Sequence, residues 1–292
     1  LRSGAWEFLT KPLQMRDIEQ CLRQILQFRQ NRTPVSEALD VDSGHILGSG
    51  PGMSRALKLL AQAAKSEVNV LLLGETGVGK ELFARALFRN SARAARPFIT
   101  VDCASLPETL VESHLFGHSR GAFTGADRAR EGLLLAADKG TLFLDEVGDL
   151  PQPMQGVFLR ALEQRRFRPV GEVREVSSDF RLVAATNKNL EHMAKENSFR
   201  ADLLYRLQGL TIVIPPLRER LDEIPALARQ AIARFCLGSD QPEKTLSNEA
   251  LDVLLEYAWP GNVRELIHCL ERACLTAGKS DLILPAHLPT RM

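Results

Sequence analysis

The sequence predicts an α/β protein with a doubly wound, parallel five-stranded sheet, followed by a small all-α domain. Short apolar runs alternate with helical stretches, and they occupy residues 68–74, 98–102, 141–146, 181–186 and 210–215. Runs that are apolar throughout favour strands buried on both faces, and the helices between them favour parallel pairing. Beyond these runs, residues 222–292 have helical spacing only.

The elements outside the sheet follow from helix signals. Apolar residues recur at helical spacing over residues 18–26, and polar residues follow before Pro34, which predicts one amphipathic helix. Ser247 is the predicted N-cap of a later helix, and Pro260-Gly261 predicts a break. The predicted divisions are an N-terminal helical segment 1–33, a linker 34–44, the α/β domain 45–217 and the helical lid domain 218–292.

Composition and charge are those of an ordinary globular protein. The chain has 37 Lys plus Arg against 36 Asp plus Glu, so bulk charge does not favour binding to DNA or to an anionic membrane. The five cysteines lack the spacing of a metal site or a disulfide framework. Without a signal peptide or a run of ~20 apolar residues, we expect a cytoplasmic protein with no membrane partner. Because the chain begins with Leu1, we expect a fragment of a longer protein.

The strongest single signal is the stretch GETGVGKE at residues 74–81. Gly74, Gly79 and Lys80 follow a predicted strand and open a predicted helix, which is the context that a phosphate-binding P-loop requires. Glycines let backbone N–H groups surround a β-phosphate, and Lys80 reaches the β- and γ-phosphates. The residues predicted to hold ATP here are Gly74, Glu75, Thr76, Gly77, Val78, Gly79, Lys80 and Glu81.

Acidic and amide side chains at the ends of two further strands predict the catalytic centre. Glu81 stands where the motif normally has a Ser or Thr ligand of Mg²⁺, so the metal relies on water, Thr76 or another carboxylate. Asp145 and Glu146 end a predicted strand, and such ends line the ligand crevice. We expect Asp145 to hold Mg²⁺ through water and Glu146 to orient or deprotonate the attacking water. Asn187 ends the next strand, where it contacts the γ-phosphate or the water, although an Asn alone is more often a turn former.

These motifs, with several others, resemble the AAA+ ATPase module of sigma-54-dependent transcriptional activators, the bacterial enhancer-binding proteins. The matching stretches are GETGVGKE, ESHLFGHSRGAFTGA, GTLFLDE, SFRADLLYRL, IPPLRER and WPGNVREL, and the resemblance covers about residues 45–288. GAFTGA within a P-loop ATPase is close to diagnostic of this family. The resemblance implies an AAA+ fold with a helical lid, ATP and Mg²⁺ as cofactors, and a homo-oligomeric ring of six or seven subunits.

The resemblance also implies roles that local patterns leave open. Arg200 and Arg206 match the arginine fingers that act across a subunit interface, although the same stretch by itself fits a charged amphipathic helix. Arg264 matches the lid arginine that points at the nucleotide phosphates. Ile46 and Leu47 lie in a segment similar to the one that borders the adenine.

Asp102 departs from the family pattern. It stands where the family usually has an Asn that couples the catalytic Glu to the surface loops. Two nearby carboxylates repel each other unless one is protonated or a cation intervenes. We therefore expect an unusual coupling between Asp102 and Glu146.

The stretch GAFTGA predicts a mobile loop that contacts sigma-54. Its residues are Gly121, Ala122, Phe123, Thr124, Gly125 and Ala126. Glycines of this density suit a loop, in which Phe123 becomes buried only against a partner and Thr124 adds a polar contact. We expect the loop to follow the state of the γ-phosphate. Residues 168–181 predict a solvated hairpin, which the resemblance identifies as a second surface loop.

The N-terminal stretch GAWEFLTKP resembles the end of a response-regulator receiver domain. Lys11 precedes Pro12 as in that family, and Phe8 stands at its aromatic switch position. The resemblance implies a sensor kinase as a partner of a receiver domain that lies mostly upstream. The resemblance to sigma-54-dependent activators separately implies DNA binding through a C-terminal domain absent from this chain.

The resulting interpretation is an ATP-hydrolysing ring protein of a two-component system that remodels sigma-54 RNA polymerase closed complexes for promoter opening. Two alternatives stay open. One is another AAA+ remodelling ATPase with a different partner. The other, motivated by Glu81 and Asp102, is a nucleotide-dependent interaction module without turnover.

Overall fold

The computed structural model describes residues 46, 48, 50–105, 107–239 and 242–289. The predicted N-terminal helix, the linker, the receiver-like stretch and Leu47 lie outside these residues. The described residues form an α/β part and a helical lid.

A five-stranded parallel sheet forms the centre of the α/β part, as predicted. Its strands are β1 (Val70–Leu73), β2 (Phe98–Asp102), β3 (Thr141–Asp145), β4 (Arg181–Thr186) and β5 (Leu210–Val213). They lie in the order β2-β3-β4-β1-β5, with every pair parallel. Every residue of β4 is buried, as its unbroken apolar run indicates.

Three strands end earlier than predicted at the cleft side of the sheet, and β1 is one of them because it ends at Leu73. β3 ends at Asp145 because Glu146 has the left-handed backbone angle φ = 49° and starts a 3-10 turn. β5 ends at Val213, although the apolar run continues to Pro215. Ile214 extends the run because it is buried and its N–H still donates to the Leu73 carbonyl at 2.8 Å.

Helices cover both faces of the sheet, which confirms the doubly wound arrangement. The elements of the α/β part are α1 (Pro51–Ala64), α2 (Lys80–Arg89), α3 (Glu108–Phe116), α4 (Leu133–Ala136), α5 (Gln152–Gln164), α6 (Leu190–Lys195) and α7 (Ala201–Leu207). On one face, Leu60 of α1 and Phe83 of α2 join a core with Leu72. On the other, Leu115 of α3 and Phe158 of α5 join a core with Leu71.

The lid is built from three helices, α8 (Ile224–Gly238), α9 (Asn248–Glu256) and α10 (Asn262–Ala277). Ser247 caps α9 as predicted, because its Oγ accepts a hydrogen bond from the Ala250 N–H at 3.1 Å. Trp259 is fully buried in the lid core. The lid also contains a short parallel pair, Thr245–Leu246 with Leu282–Ile283, that the helical spacing does not predict. Among the described helices, none is long and apolar enough to cross a membrane.

Candidate functional site

The carboxyl ends of the central strands open into a cleft of about 610 Å³ between the sheet and the lid. This volume lies within the range of small-molecule sites. The predicted residues that line it are Ile46, Thr76, Gly77, Val78, Gly79, Lys80, Glu81, Asp102, Asp145, Glu146, Asn187 and Arg264. Sequence motifs separated by up to two hundred positions therefore meet at one site.

The loop between β1 and α2 has the geometry of an anion-binding site. Gly77 (φ = 81°) and Gly79 (φ = 104°) adopt the left-handed conformation that favours glycine. Lys80 starts α2, so the partial positive charge of the helix N-terminus faces the cleft. The Lys80 Nζ donates a hydrogen bond to the Gly74 carbonyl at 3.0 Å. The loop thus presents N–H groups and an ammonium group to an anion.

Three motifs are joined by hydrogen bonds at the floor of the cleft. The Lys80 Nζ lies 3.1 Å from Glu146 Oε1. The Asn187 N–H donates to Glu146 Oε2 at 3.1 Å, and the Asn187 side-chain amide donates to Thr76 Oγ1 at 2.9 Å. The P-loop, the end of β3 and the end of β4 are therefore joined by hydrogen bonds within the cleft.

Asp145 is half-buried beside a second carboxylate, an arrangement suited to a cation. Burial raises its pKa above the usual range and the charge of Glu146 raises it further, while Lys80 lowers it. Its Oδ1 accepts the Glu146 N–H at 3.1 Å. Carboxylate oxygens are the ligands that Mg²⁺ prefers, so Asp145 fits this metal. Glu81 instead pairs with Arg85 one turn along α2, at 2.7 Å.

Asp102 lies beside Asp145 on the neighbouring strand and lines the cleft. Its Oδ1 accepts the Ala104 N–H at 3.0 Å, which stabilises the turn after β2. Glu146 makes its contacts with Lys80 and Asn187 instead. The carboxylate of Asp102 therefore holds the exit of β2 towards α3.

Arg200 and Arg206 lie on the surface, outside the residues that line the cleft. The Arg200 guanidinium binds Asp202 through two hydrogen bonds of 3.0 and 2.7 Å. Its backbone N–H donates to Gln155 Oε1 at 2.8 Å, which fixes the start of α7. The chain therefore does not bring either arginine to its own cleft.

Two residues that the predictions missed, Arg218 and Asn262, connect the P-loop to the lid. Arg218 donates to both carboxylate oxygens of Glu75, at 2.6 and 2.8 Å, and Asn262 Nδ2 donates to one of them at 3.1 Å. The pKa of Glu75 is lowered to about 2, mainly by the hydrogen bonds from Arg218 and further by the hydrogen bond from Asn262. Both residues occur in motifs noted above, IPPLRER and WPGNVREL. Their partner is more than a hundred positions away, so no local pattern predicts the contact.

Further contacts hold the lid against the P-loop. Arg220 donates to the Val78 carbonyl at 3.0 Å and pairs with Glu223, both charged side chains being buried. The Arg264 N–H donates to the Gly77 carbonyl at 3.3 Å. The position of the lid relative to the phosphate-binding loop is thus defined by direct hydrogen bonds.

The GAFTGA loop projects from the α/β part between two short paired strands, Gly117–His118 and Arg130–Glu131. The Gly121 N–H donates to the Ala126 carbonyl at 2.8 Å and closes the loop. Phe123 is 38% exposed, and the edge of its ring contacts His118 with centroids 5.0 Å apart. Thr124 is exposed next to it. The loop therefore offers an apolar ring and a hydroxyl group at the surface.

The predicted hairpin lies against the base of this loop, but the prediction extends it too far because Phe180 and Arg181 are buried and Arg181 starts β4. Arg166–Phe167 pairs with Val176–Ser177, which gives the hairpin. The Ser119 N–H donates to the Val170 carbonyl at 3.0 Å, and the Val170 N–H donates to the Gly117 carbonyl at 2.9 Å. The two surface elements are thus joined through their backbones.

Comparison with known families agrees with this geometry. A family model described as "Sigma-54 interaction domain" matches residues 46–213, and one described as "AAA+ ATPase lid domain" matches residues 218–292. The transcriptional regulatory protein ZraR of Klebsiella oxytoca is 44% identical over 274 residues, which are 94% of this chain and 62% of ZraR. The regulatory protein AtoC of Escherichia coli (strain K12) is 40% identical over 297 residues, 100% of this chain and 64% of AtoC. The chain thus spans less than two thirds of the length of these curated relatives.

A solved structure has the same architecture. The crystal structure of NtrX from Brucella abortus in complex with ATP is 32% identical in sequence, with a TM-score of 0.78. The match covers 99% of this chain and 66% of that one. The sheet, the cleft and the lid described above are therefore those of an AAA+ protein.

Proposed function

Since the chain belongs to the sigma-54 interaction domain family of AAA+ ATPases, we propose that it hydrolyses ATP to activate transcription by sigma-54 RNA polymerase. The observation that carries the proposal is the combination of a nucleotide cleft with Phe123 exposed on the GAFTGA loop. The exposed ring on a glycine-rich loop is accessible to a partner protein. The match to the sigma-54 interaction domain supports sigma-54 as that partner.

The hydrolysis step is assigned to the residues at the floor of the cleft. ATP would place its phosphates over the P-loop, where Lys80 exchanges its contact with Glu146 for the phosphate oxygens. Glu146 then accepts a proton from the attacking water, and Asn187 keeps its carboxylate oriented. Through water, Asp145 would hold Mg²⁺, which would supply positive charge beside the phosphates.

Completion of the site requires a second copy of the chain. Because Arg200 and Arg206 lie outside their own cleft, we assign them to the cleft of a neighbouring subunit in a homo-oligomeric ring of six or seven copies. A guanidinium supplied in this way stabilises the charge that develops on the γ-phosphoryl.

The loop is assigned to the contact with sigma-54. α3 connects the end of β2, where Asp102 lines the cleft, directly to the base of the loop. Loss of the γ-phosphate would change the contacts of Glu146 and Asn187, and the movement would reach the loop through this helix. The free energy of hydrolysis would thereby remodel the closed complex for promoter opening.

The whole protein would contain further parts. We propose that a receiver domain ends near Lys11 and takes a phosphoryl group from a sensor kinase. A DNA-binding domain beyond this chain would position the ring at its promoter. Both proposals rest on the resemblance of the sequence and on the greater length of the relatives.

Binding of sigma-54 to the chain trapped with ADP and a metal fluoride tests the proposal. We expect Thr124→Ala to abolish this binding, whereas Thr276→Ala, an exposed threonine on the lid, leaves it intact. Equal binding by Thr124→Ala would show that the loop is not the contact. A separate turnover assay tests the enzyme: ATP bound but never hydrolysed, at concentrations that allow assembly, contradicts the ATPase assignment.

A further inference from the structure

The P-loop contains an acidic side chain, Glu75, in a segment that binds anions. A carboxylate near the phosphates of ATP would oppose their binding by charge repulsion. Its low pKa means that it is ionised at any pH at which the protein works. Some other part of the molecule must therefore hold this charge away from the nucleotide.

Arg218 and Asn262 do this by binding the carboxylate on the outer side of the loop. The two hydrogen bonds from Arg218 are parallel and short, at 2.6 and 2.8 Å, which is the strong bidentate geometry of this pair. Asn262 is fully buried and donates to Glu75 and to the Thr76 carbonyl, at 3.1 and 3.0 Å. Neither Glu75 nor Arg218 lines the cleft.

The same contacts fix the lid helix. The Asn262 Oδ1 accepts the Leu217 N–H at 2.8 Å, so Asn262 joins the P-loop, the 3-10 turn at Leu217–Glu219 and the start of α10. Arg264, which lines the cleft, follows Asn262 by two residues on α10. The Glu75 carboxylate is therefore one of the groups that hold the start of the helix that carries Arg264.

We propose that Arg218 is a positioning residue for ATP: with Asn262 it turns the Glu75 carboxylate away from the phosphates and fixes the lid helix that carries Arg264. Arg218 acts through Glu75 and does not contact the nucleotide. The inference rests on the ATP-dependent part of the proposed function and does not involve sigma-54.

The test compares Arg218→Ala, Glu75→Gln and the double variant in the full chain, with ATP affinity from calorimetry and the KM and kcat of hydrolysis. We expect Arg218→Ala to raise the Kd and KM for ATP by about 10-fold, because an unpaired carboxylate is left near the phosphates. The kcat at saturating ATP should stay within roughly two-fold. Glu75→Gln should weaken binding by about three-fold through the lid contact alone.

The double variant shows whether Arg218 acts through Glu75 or contacts the nucleotide directly. Without the carboxylate, loss of Arg218 should matter little, so its KM should lie within roughly two-fold of that of Glu75→Gln, below that of Arg218→Ala. Arg218→Lys, which keeps the charge but not the paired geometry, should be intermediate. Arg229→Ala serves as the matched control, because it removes an exposed lid arginine whose hydrogen bond, in the part of the chain that the structure describes, goes to the Pro225 carbonyl.

Two results would overturn the inference. A double variant as weak as Arg218→Ala means that Arg218 binds the nucleotide itself. A wild-type KM for Arg218→Ala means that the Arg218–Glu75 pair has no effect on ATP binding. Failure of the wild-type chain to bind ATP would overturn the proposed function together with this inference, whereas loss of sigma-54 binding alone would leave the inference standing.

Discussion

The nucleotide cleft and the GAFTGA loop both contain a left-handed glycine, but the two glycines have opposite surroundings. Gly77 of the P-loop has φ = 81°, and a Cβ built on it would lie 2.2 Å from the Gly261 carbonyl oxygen. Gly121 of the loop has φ = 78°, and a Cβ there would meet nothing within 4 Å. The same backbone conformation thus allows a close approach in one region and freedom of movement in the other.

The side chains of the cleft and of the loop also differ in how closely they are held. In the cleft, Lys80, Glu146 and Asn187 are bound to one another at hydrogen-bond distance. In the loop, the Phe123 ring is 38% exposed and packs edge-on with His118, and Thr124 is exposed. Catalysis in a cleft depends on fixed distances between the reacting groups. A loop that binds a partner depends instead on side chains that are exposed and free to contact that partner. Substitutions in the two regions should therefore have separable effects.

A large loss of hydrolysis is expected of Glu146→Gln in the cleft. Removal of the base should lower phosphate release by roughly 10²–10⁴-fold. ATP affinity should not fall, because the amide keeps the size of the side chain and removes a negative charge beside Lys80. Phosphate release and ATP titration measure the two quantities.

Thr124→Ala is the counterpart in the loop, and its phosphate release should stay within roughly two-fold of wild type. If it lost hydrolysis to the same extent as Glu146→Gln, the two regions would form one functional unit and the comparison would fail.

A loss of hydrolysis at least as large is expected of Arg206→Ala. An arginine finger contributes about 10³–10⁵-fold to the rate, so this variant alone should be nearly inactive. Mixed with Glu146→Gln, it should recover part of the activity, because some interfaces then combine an intact Glu146 with an intact Arg206 from the neighbour. Phosphate release over a series of mixing ratios measures the recovery.

Absence of recovery at every ratio would place the arginine in its own cleft. The fixed geometry of the cleft would then be complete within one chain.

Local patterns predict the sheet because a strand that is buried on both faces is an unbroken run of apolar residues in the sequence. The run at residues 181–186 coincides with β4, whose six residues are all buried. The Ser247 cap is equally local, since its partner is three residues away. The ends of β3 and β5 are less exact, because the apolar run records burial and not the point at which the backbone leaves the sheet.

Contacts between distant segments could not be predicted in this way. Glu75 was assigned to the nucleotide as part of the P-loop, yet its side chain binds Arg218 and Asn262 outside the cleft. The short parallel pair in the lid was also missed, since two-residue strands have no periodicity. In both cases the partner is fixed by tertiary packing, on which composition and spacing give no information.

The smallest effects come from the two glycines, which test the comparison most directly. Gly121→Ala should cost roughly 1 kcal/mol of unfolding free energy, the strain of a left-handed alanine, and leave ATP affinity unchanged. Gly77→Ala carries the same strain, but its Cβ also displaces the Gly261 backbone and with it the start of α10. We therefore expect a larger loss of stability and a loss of ATP affinity of about 10-fold.

Because the two φ angles differ by only a few degrees, the strain cancels when the variants are compared. The remaining difference in stability and ATP affinity between the two variants then comes from the contact between the P-loop and the lid. Denaturant unfolding and ATP titration of both variants measure it. Equal losses at the two positions would mean that the close approach at Gly77 contributes nothing to nucleotide binding, and the lid would then have to be held by Arg218, Arg220 and Asn262 alone.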